Sequence, residues 1–427
     1  IGAFNVITTA AGNTQPISGV GFLPSIVFFF WNGRTESDGS DNTGRASHNR
    51  GGGAAVSSSS RVCAATQSTD AADPMQCDQT YRADSCIATL LNQGTGAIDG
   101  LMDLQSMDAD GFTLIVDDQF ASAIRVFYLA LGGTDITNVK CGSFAITSGT
   151  GNMTTGAGDP GFAADFAMFG ESSNSSLPTL TIDSAFNIGA AAKPGGNVKA
   201  FSLAASSNDA AATALSGTYI QSGGLADNEC AGNISGSIGS ILGRLRFVDF
   251  TSTSFTVNRL SDGFGSQCVY AAVQGGKWWV DDFQTIASVA DIAVETGFGF
   301  QPDAVVCVSH GLQESTADTI QSGQMTSIGL AHRTSAVQKC LAIQDENGTA
   351  TAEVTTAMDE SGNDAVYLNI STASAIQGAV KVKSFDSDGI TFTQTDADPS
   401  AAIVGYIAFG PAAVESTESL MGASMGM

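Results

Sequence analysis

The stretch Asp108–Gly133, DADGFTLIVDDQFASAIRVFYLALGG, is the part of the chain that decides the fold. It combines an acidic turn, a strand pattern, a polar connection and a second, very apolar strand pattern that stops at paired glycines. The stretch Asp386–Gly410, DSDGITFTQTDADPSAAIVGYIAFG, repeats this design 278 positions later without a gap. We interpret the two stretches as the closing hairpins of two copies of one β module.

A second pair of similar stretches has the same offset. Gly19–Gly33 reads GVGFLPSIVFFFWNG and Gly297–Gly311 reads GFGFQPDAVVCVSHG, again 278 positions apart. Two unrelated chance similarities would not share one offset, so a tandem repeat predicts a middle copy at half of it, about 139 residues. Phe162–Phe169 and Val269–Val273 fit that copy at offsets of 140 and 142. The sequence therefore predicts an all-β chain of three tandem β-sandwich (jelly-roll-like) modules.

The repeat also gives the expected boundaries. We predict module 1 at residues 1–134, a divergent module 2 at 135–284, module 3 at 285–412 and a C-terminal tail at 413–427. Residues 36–60 and 189–217 are rich in glycine, serine and alanine, a composition typical of long exposed loops that carry partner contacts. For residues 36–60 an ordered irregular arm is the alternative.

Composition restricts the possible functions. The 427 residues carry 17 Lys plus Arg against 42 Asp plus Glu, a net charge of −25. Nucleic-acid affinity comes largely from cations that neutralise phosphates, so we expect no nucleic-acid partner. An acidic surface suits a protein displayed at high copy number. We also expect no signal peptide and no membrane span, because the longest apolar run, Ile26–Trp31, is far too short.

The eight cysteines do not form a disulfide scaffold in a chain of this length. Cys63, Cys77 and Cys86 lie close enough in sequence for one bridge, whereas Cys141, Cys268 and Cys307 lie in apolar strand patterns typical of buried free thiols. Composition alone leaves their redox state open.

The acidic turns are the first candidate site. Asp108 and Asp110, like Asp386 and Asp388, are one residue apart before a glycine, a local pattern that occurs in calcium loops. Aspartate and glycine also suit tight turns, and the middle copy has no acid here. We favour the plain turn, although the pattern by itself does not exclude calcium.

The histidines are the second candidate. His48, His310 and His332 have no nucleophile and orienting acid at a recognisable spacing. We expect them to be solvent-facing or locally hydrogen-bonded. The sequence therefore predicts no catalytic, cofactor-binding or metal-binding residue and no enzymatic activity.

Trp278 and Trp279 are the third candidate. Exposed aromatic side chains are typical of sugar binders, but two tryptophans after the closing strand of module 2 also suit a junction between two modules. We favour the junction.

The Gly-Phe-x-Pro corner of Gly21–Pro24, the motif Asp108–Thr113 and the close Tyr128–Gly133 resemble a module of tailed-bacteriophage structural proteins. The resemblance implies a virion protein, either a capsid decoration or a tail-associated protein. It would act by packing against other virion proteins and copies of itself as a homo-oligomer. The alternative is a receptor- or carbohydrate-binding phage adhesin or fibre that contacts a host-surface glycan.

Overall fold

The structure is a computed structural model. It describes residues 1–411 except 36–38, 42–46, 92–95, 157–158, 173, 212–213, 215, 221–227, 235–240, 262–264, 314–320, 349–350, 352, 361–364 and 372–374. The predicted tail, from residue 412 onward, and part of the predicted loop at 36–60 lie outside these residues. In the part described, helix is confined to one 3-10 turn, Pro194–Gly196.

The strands of the described residues fall into three sets of eleven, here called units 1, 2 and 3. Unit 1 contains β1 Gly2–Asn5, β2 Thr14–Ser18, β3 Pro24–Trp31, β4 Gly39–Asp41, β5 Ser47–Ser57, β6 Ser60–Thr69, β7 Cys77–Arg82, β8 Ile87–Leu90, β9 Ile98–Asp108, β10 Gly111–Asp118 and β11 Arg125–Gly132. Unit 2 contains β12 Ile136–Ile146, β13 Gly151–Thr154, β14 Phe166–Ser172, β15 Thr181–Ile182, β16 Ser184–Ala192, β17 Lys199–Ser207, β18 Ser216–Ile220, β19 Glu229–Ile234, β20 Ile241–Phe250, β21 Phe255–Arg259 and β22 Ser266–Gly275. Unit 3 contains β23 Lys277–Gln284, β24 Asp291–Thr296, β25 Ala304–Gln313, β26 Gln321–Ser322, β27 Gln324–His332, β28 Gln338–Asp345, β29 Val354–Asp359, β30 Tyr367–Ile370, β31 Ile376–Asp386, β32 Gly389–Asp396 and β33 Ala402–Gly410.

Each unit is a sandwich of a large and a small antiparallel sheet. In unit 1 the large sheet has the order β1-β11-β3-β5-β6-β7 and the small sheet has the order β2-β10-β9-β8. Units 2 and 3 repeat both orders. The first strand lies beside the last and the second beside the next to last, a nesting that jelly rolls also show. The predicted all-β sandwich architecture is confirmed.

Strand β3 shows how the sequence forms the large sheet. Ile26, Phe28 and Phe30 point into one apolar cluster, whereas Val27, Phe29 and Trp31 point into another. Alternate residues of a strand face opposite sides of a sheet, so a strand covered on both sides needs a continuous apolar run.

A short strand from another unit completes each large sheet. Strand β15 of unit 2 pairs with β7 of unit 1, β26 of unit 3 pairs with β18 of unit 2, and β4 of unit 1 pairs with β29 of unit 3. Each unit thus gives one short strand to a second unit and receives one from the third. The three units therefore form a closed ring with pseudo-threefold symmetry, and a strand from another unit covers one edge of every large sheet.

The large sheets face one another at the centre of the ring. One apolar cluster draws residues from all three units, among them Phe30, Phe186 and Leu341. Separate clusters fill the three sandwiches, between the large and the small sheet of each unit.

The predicted loops are instead inner strands, and that prediction is wrong. The described part of 36–60 lies mostly in β4, β5 and β6, and that of 189–217 mostly in β16, β17 and β18. Close packing requires the small residues. A Cβ on Gly51 would lie 2.1 Å from the Trp31 ring, and one on Gly53 would lie 2.1 Å from the carbonyl oxygen of Cys86. Low complexity here reflects tight packing at the centre of the ring.

Two further expectations differ from the structure. The stretch Asp108–Gly133 is not a hairpin, because β10 belongs to the small sheet and β11 to the large one. Its connection therefore crosses between the two layers. The predicted boundary at 284/285 follows β23, although β23 pairs with β33 of unit 3. By strand pairing, unit 3 begins at Lys277.

Candidate functional site

The acidic turns are hydrogen-bonded clamps. The Asp108 carboxylate accepts hydrogen bonds from the hydroxyls of Ser106 at 2.8 Å and Thr113 at 2.7 Å. The Asp110 carboxylate accepts from the backbone N–H groups of Gly19 at 3.1 Å and Gly21 at 2.6 Å. Asp110 thus joins the β9–β10 turn to the glycine corner before β3.

Unit 3 repeats the clamp. Asp386 accepts from Ser384 at 2.8 Å and Thr391 at 2.7 Å, while Asp388 accepts from Gly297 at 3.2 Å and Gly299 at 2.5 Å. The two stretches that recur at one offset are therefore in direct contact. All four carboxylates have structural partners, which supports the plain-turn interpretation. Among the described residues, no group of three or more His, Cys, Asp or Glu side chains could hold a metal ion.

Unit 2 joins the corresponding turn and corner without carboxylates. The Thr251 hydroxyl accepts from the backbone N–H of Ser254 at 2.9 Å, and Gly161 donates to the carbonyl oxygen of Thr253 at 2.8 Å. The corner is kept while its side chains change, so it serves the fold.

Trp278 packs at the junction between units 2 and 3, as predicted. Its ring stacks on Phe166 of unit 2 at 4.0 Å, and its Nε1 donates to the carbonyl oxygen of Gly275 at 2.8 Å. Trp279 stacks on Phe298 at 4.8 Å, and Lys199 of unit 2 lies 3.9 Å from the centre of its ring. The side chain of Trp278 is therefore buried and does not form an exposed sugar platform.

A buried polar cluster lies where the three units meet. Asp345 of unit 3 accepts hydrogen bonds from Ser68 of unit 1 at 2.9 Å and Ser207 of unit 2 at 3.2 Å. Strand pairing puts these three residues at the same position of their units, opposite His48, Ser184 and Gln324. They mark the pseudo-threefold axis.

His48 and Arg50 place positive or protonatable groups beside this carboxylate. His48 Nε2 lies 2.8 Å from Asp345 Oδ1. Arg50 donates to Thr66 at 3.0 Å and Thr326 of unit 3 at 2.8 Å, and it lies over the Phe186 ring of unit 2 at 4.9 Å. Burial by itself would raise the pKa of Asp345, but His48, Arg50 and Ser68 outweigh it and lower the pKa to about 2.

The expectation that the histidines are solvent-facing or locally hydrogen-bonded fits His332, which contacts nearby Ser335. His48 and His310 are fully buried, and only His332 is partly exposed. His310 Nδ1 lies 3.1 Å from the Thr326 hydroxyl, and burial with nearby Arg50 lowers its pKa to about 3. No sequence motif marks this cluster, because its members come from separate strands of all three units.

Glu171 is a second buried acid, at the position that Trp31 occupies in unit 1. Its Oε1 accepts from Ser266 at 2.9 Å, whereas Oε2 has no hydrogen-bond partner in the part of the chain that the structure describes. Arg244, Arg259 and Ser261 line the same pocket, whose volume of about 10 Å³ is near that of one water molecule. Burial raises the pKa of Glu171 to about 7. This set can hold a proton near neutral pH.

All eight cysteines are buried and unbridged. Burial raises the pKa of each thiol, for example Cys340 to about 12. The structure therefore contains no bridge among Cys63, Cys77 and Cys86, and a raised pKa disfavours the reactive thiolate. Within the described residues, no helix is long and apolar enough to cross a bilayer.

Comparisons with known proteins assign no family. No protein-family model and no curated protein matches the chain. Among solved structures, an AttH candidate from Nitrosomonas europaea is 9% identical, over 91% of this chain and 92% of that one, with a TM-score of 0.17. The di-domain ARO/CYC StfQ from the steffimycin biosynthetic pathway is 10% identical, over 57% and 76%, with a TM-score of 0.10. Superpositions this poor carry no conclusion about fold or function, so a functional proposal has to rest on the chain's own sequence and geometry.

Proposed function

We propose that this chain is a non-enzymatic structural protein of a bacteriophage virion, a capsid decoration or tail-associated component. The observation that carries the proposal is the closed ring of three exchanged strands. The common core and the crossed strands make the three units fold as one body. Such a body suits a particle component that acts by packing against its neighbours.

Composition and sequence resemblance support the same proposal. The net charge of −25 opposes non-specific aggregation and binding to nucleic acid, which suits a protein displayed at high copy number. The motifs around Gly21–Pro24 and Asp108–Gly133 resemble phage structural modules. The proposed partners are other virion proteins and further copies of this chain.

The adhesin alternative has less support from the geometry. It needs Trp278 and Trp279 to be available to a sugar, but Trp278 is 5% exposed and packed between rings of two units, while Trp279 is partly buried. A glycan array without binders is the expected result.

The decisive experiment locates the chain in purified phage particles. Mass spectrometry of density-gradient fractions should find it in the band of the major capsid protein, and cryo-electron microscopy should show a three-lobed density on the capsid or tail. Recovery of the chain only from the soluble lysate would overturn the proposal. Analytical ultracentrifugation separately tests self-association. A strict monomer that binds no virion protein would contradict the proposal.

A further inference from the structure

We propose that unit 3 carries a binding site for a small oxyanion, in a surface pocket lined by His332, Arg333, Gln338, Lys383 and Phe385, here called the basic pocket. The class of ligand is a sulfate, phosphate or carboxylate group. The site does not depend on the position of the protein in a virion.

The lining of the basic pocket is the first argument. The pocket has a volume of about 200 Å³, and none of the described residues that line it is acidic. The chain as a whole has 42 acidic and only 17 basic residues other than histidine. Two cationic side chains and one histidine therefore meet around one concavity, and the aspartates that pair with the cations, Asp303 and Asp291, lie outside its lining. Such a grouping of basic side chains attracts anions.

The donors that remain available are the second argument. Nδ1 of His332 lies 2.9 Å from the Ser335 hydroxyl. It also accepts a hydrogen bond from the Ser335 backbone N–H at 3.1 Å. Nε2 makes no hydrogen bond to any residue that the structure describes. Arg333 binds Asp303 through Nε and Nη2, which leaves Nη1 for a ligand. Lys383 pairs with Asp291, but both groups are half exposed, so this pair is weak and exchangeable.

The walls of the pocket are held in place. Gln338 exchanges two hydrogen bonds with the backbone of Val382, donating at 2.9 Å and accepting at 2.8 Å. The Phe385 carbonyl oxygen accepts from Gln301 at 2.9 Å. The turn after β27 and the strand β31 therefore keep a constant separation, as a preformed site requires.

The other two units provide an internal control. Lys383 occupies a β-bulge of β31, between Val382 and Ser384. The same bulge holds Gln105 in unit 1 and Val248 in unit 2. The position of His332 is taken by Val56 and Ala192. The fold thus needs no basic side chain at either position. The pair His332 and Lys383 in unit 3 therefore requires an explanation other than folding.

Without an anion, the surroundings of His332 disfavour the charged imidazole. Burial lowers its pKa, and nearby positive groups that include Arg333 lower it further, while Asp303 opposes them. An anion in the pocket would favour the protonated imidazole and raise that pKa.

The test uses the intact chain, labelled with ¹⁵N-histidine, and follows the His332 imidazole by NMR while sodium sulfate is added. Sodium chloride at the same ionic strength is the reference. The chain has only three histidines, and the other two are fully buried. We expect sulfate to raise the pKa of His332 by about 0.5 unit or more, with saturation, beyond the effect of chloride.

Matched variants locate the response. Lys383→Gln should weaken the sulfate response about fivefold, because it removes one charge-assisted contact. Lys277→Gln makes the same charge change at an exposed site outside the basic pocket and should keep the affinity. Arg333→Gln combined with Asp303→Asn removes the guanidinium without leaving an unpaired acid, and thermal melts confirm that each variant is folded.

Two results would overturn the proposal. One is an equal response to sulfate and chloride at matched ionic strength. The other is an equal loss in Lys383→Gln and Lys277→Gln, which would mean a long-range charge effect only. Parallel titrations with phosphate, acetate and a sulfated disaccharide identify the source: a tighter response to the disaccharide assigns the anion to a glycan, and equal responses assign it to free oxyanions.

Discussion

Nε2 of His48 in unit 1 lies 2.8 Å from Oδ1 of Asp345 in unit 3, and both side chains are fully buried. The sequence separates these two residues by almost 300 positions, from 48 to 345. Their contact closes the ring on its axis, where Ser207 of unit 2 joins them. Because an uncompensated charge is costly in a protein interior, this contact links the stability of the ring to its closure.

Removal of that carboxylate should destabilise the whole chain. We expect Asp345→Asn to lower the free energy of unfolding by about 3–5 kcal/mol, because Arg50 then lies buried without its negative neighbour. Urea titration followed by tryptophan fluorescence measures the change. Asp291→Asn removes an exposed carboxylate of the same type and should leave the midpoint unchanged. Equal midpoints for the two variants would contradict the proposed role of the axis.

Acid should weaken the ring through His310. Its pKa falls from 6.5 to about 3 in the folded chain, so between these values the unfolded chain binds a proton that the folded chain does not. Stability is therefore present above pH 6.5 and is lost as the pH falls toward 3; Asp345 adds a loss in the same direction from 3.8 to about 2.

His310→Asn, which introduces the residue type of Asn32 at the equivalent position, should remove the histidine part of this slope. We expect wild type to lose about 3 kcal/mol relative to the variant between about pH 6.5 and pH 4. Thermal melts across that range measure the difference. His332→Asn is the partly exposed control and should change the slope much less. Parallel pH profiles for wild type and His310→Asn would refute the assignment.

Glu171 should act in the opposite direction. Its folded pKa is raised from 4.5 to about 7, so its protonated form is favoured by the fold. The stability it contributes is complete below 4.5 and is lost as the pH rises through about 7. Glu171→Gln should therefore stabilise the chain by about 3 kcal/mol at about pH 8 and leave it unchanged near pH 4. Denaturant titrations at both pH values test this, with exposed Glu353→Gln as the control. A gain of the same size at both pH values would exclude titration as the cause.

The acidic clamps should respond to mutation but not to calcium. Asp110→Ala frees the N–H groups of Gly19 and Gly21 and should cost about 1–2 kcal/mol. Asp118→Ala is a nearby control, since among the described residues that carboxylate accepts from its neighbour Gln119 alone, at 2.9 Å. Differential scanning calorimetry with millimolar Ca²⁺ and with EDTA should give the same melting temperature. A clear rise with Ca²⁺ that Asp110→Ala abolishes would restore the metal interpretation.

Two neighbouring glycines of β5 should respond with opposite signs. A Cβ on Gly52 would meet nothing closer than the Phe30 ring at 3.7 Å, and Gly52 lines an apolar cavity of about 50 Å³ between units 1 and 2. Gly52→Ala should therefore raise stability by about 0.5–1 kcal/mol. Gly53→Ala would force a Cβ to within 2.1 Å of the Cys86 carbonyl oxygen and should destabilise strongly. Chemical denaturation compares the two, and equal signs would contradict the packing described.

Local pattern explains which parts of the fold could be predicted. The apolar run Ile26–Trp31 carries its hydrophobic pattern within a few residues. It predicts a strand, which is β3 in the structure. The acidic turn before Gly111 recurs with its hydrogen-bond partners Ser106 and Thr113 close in sequence. Such features need no knowledge of distant residues.

The inner strands show why other parts could not be predicted. Gly51–Gly53 have no side chains to give a period, so their composition indicates a loop. These glycines pair as part of β5. Larger residues would not fit there, because Trp31 and the backbone of Cys86 approach too closely. The neighbouring residues, and not the sequence of the segment itself, therefore indicate that the segment is a strand.

The sequence by itself determined that this chain is built from repeated all-β units, because spacing and apolar alternation are properties of short segments. Only the tertiary structure decided that the units close into a ring, that Asp345 lies on its axis beside His48, and that His332, Arg333 and Lys383 line one pocket of unit 3. Those features depend on contacts between residues far apart in the chain, where no local pattern carries the information.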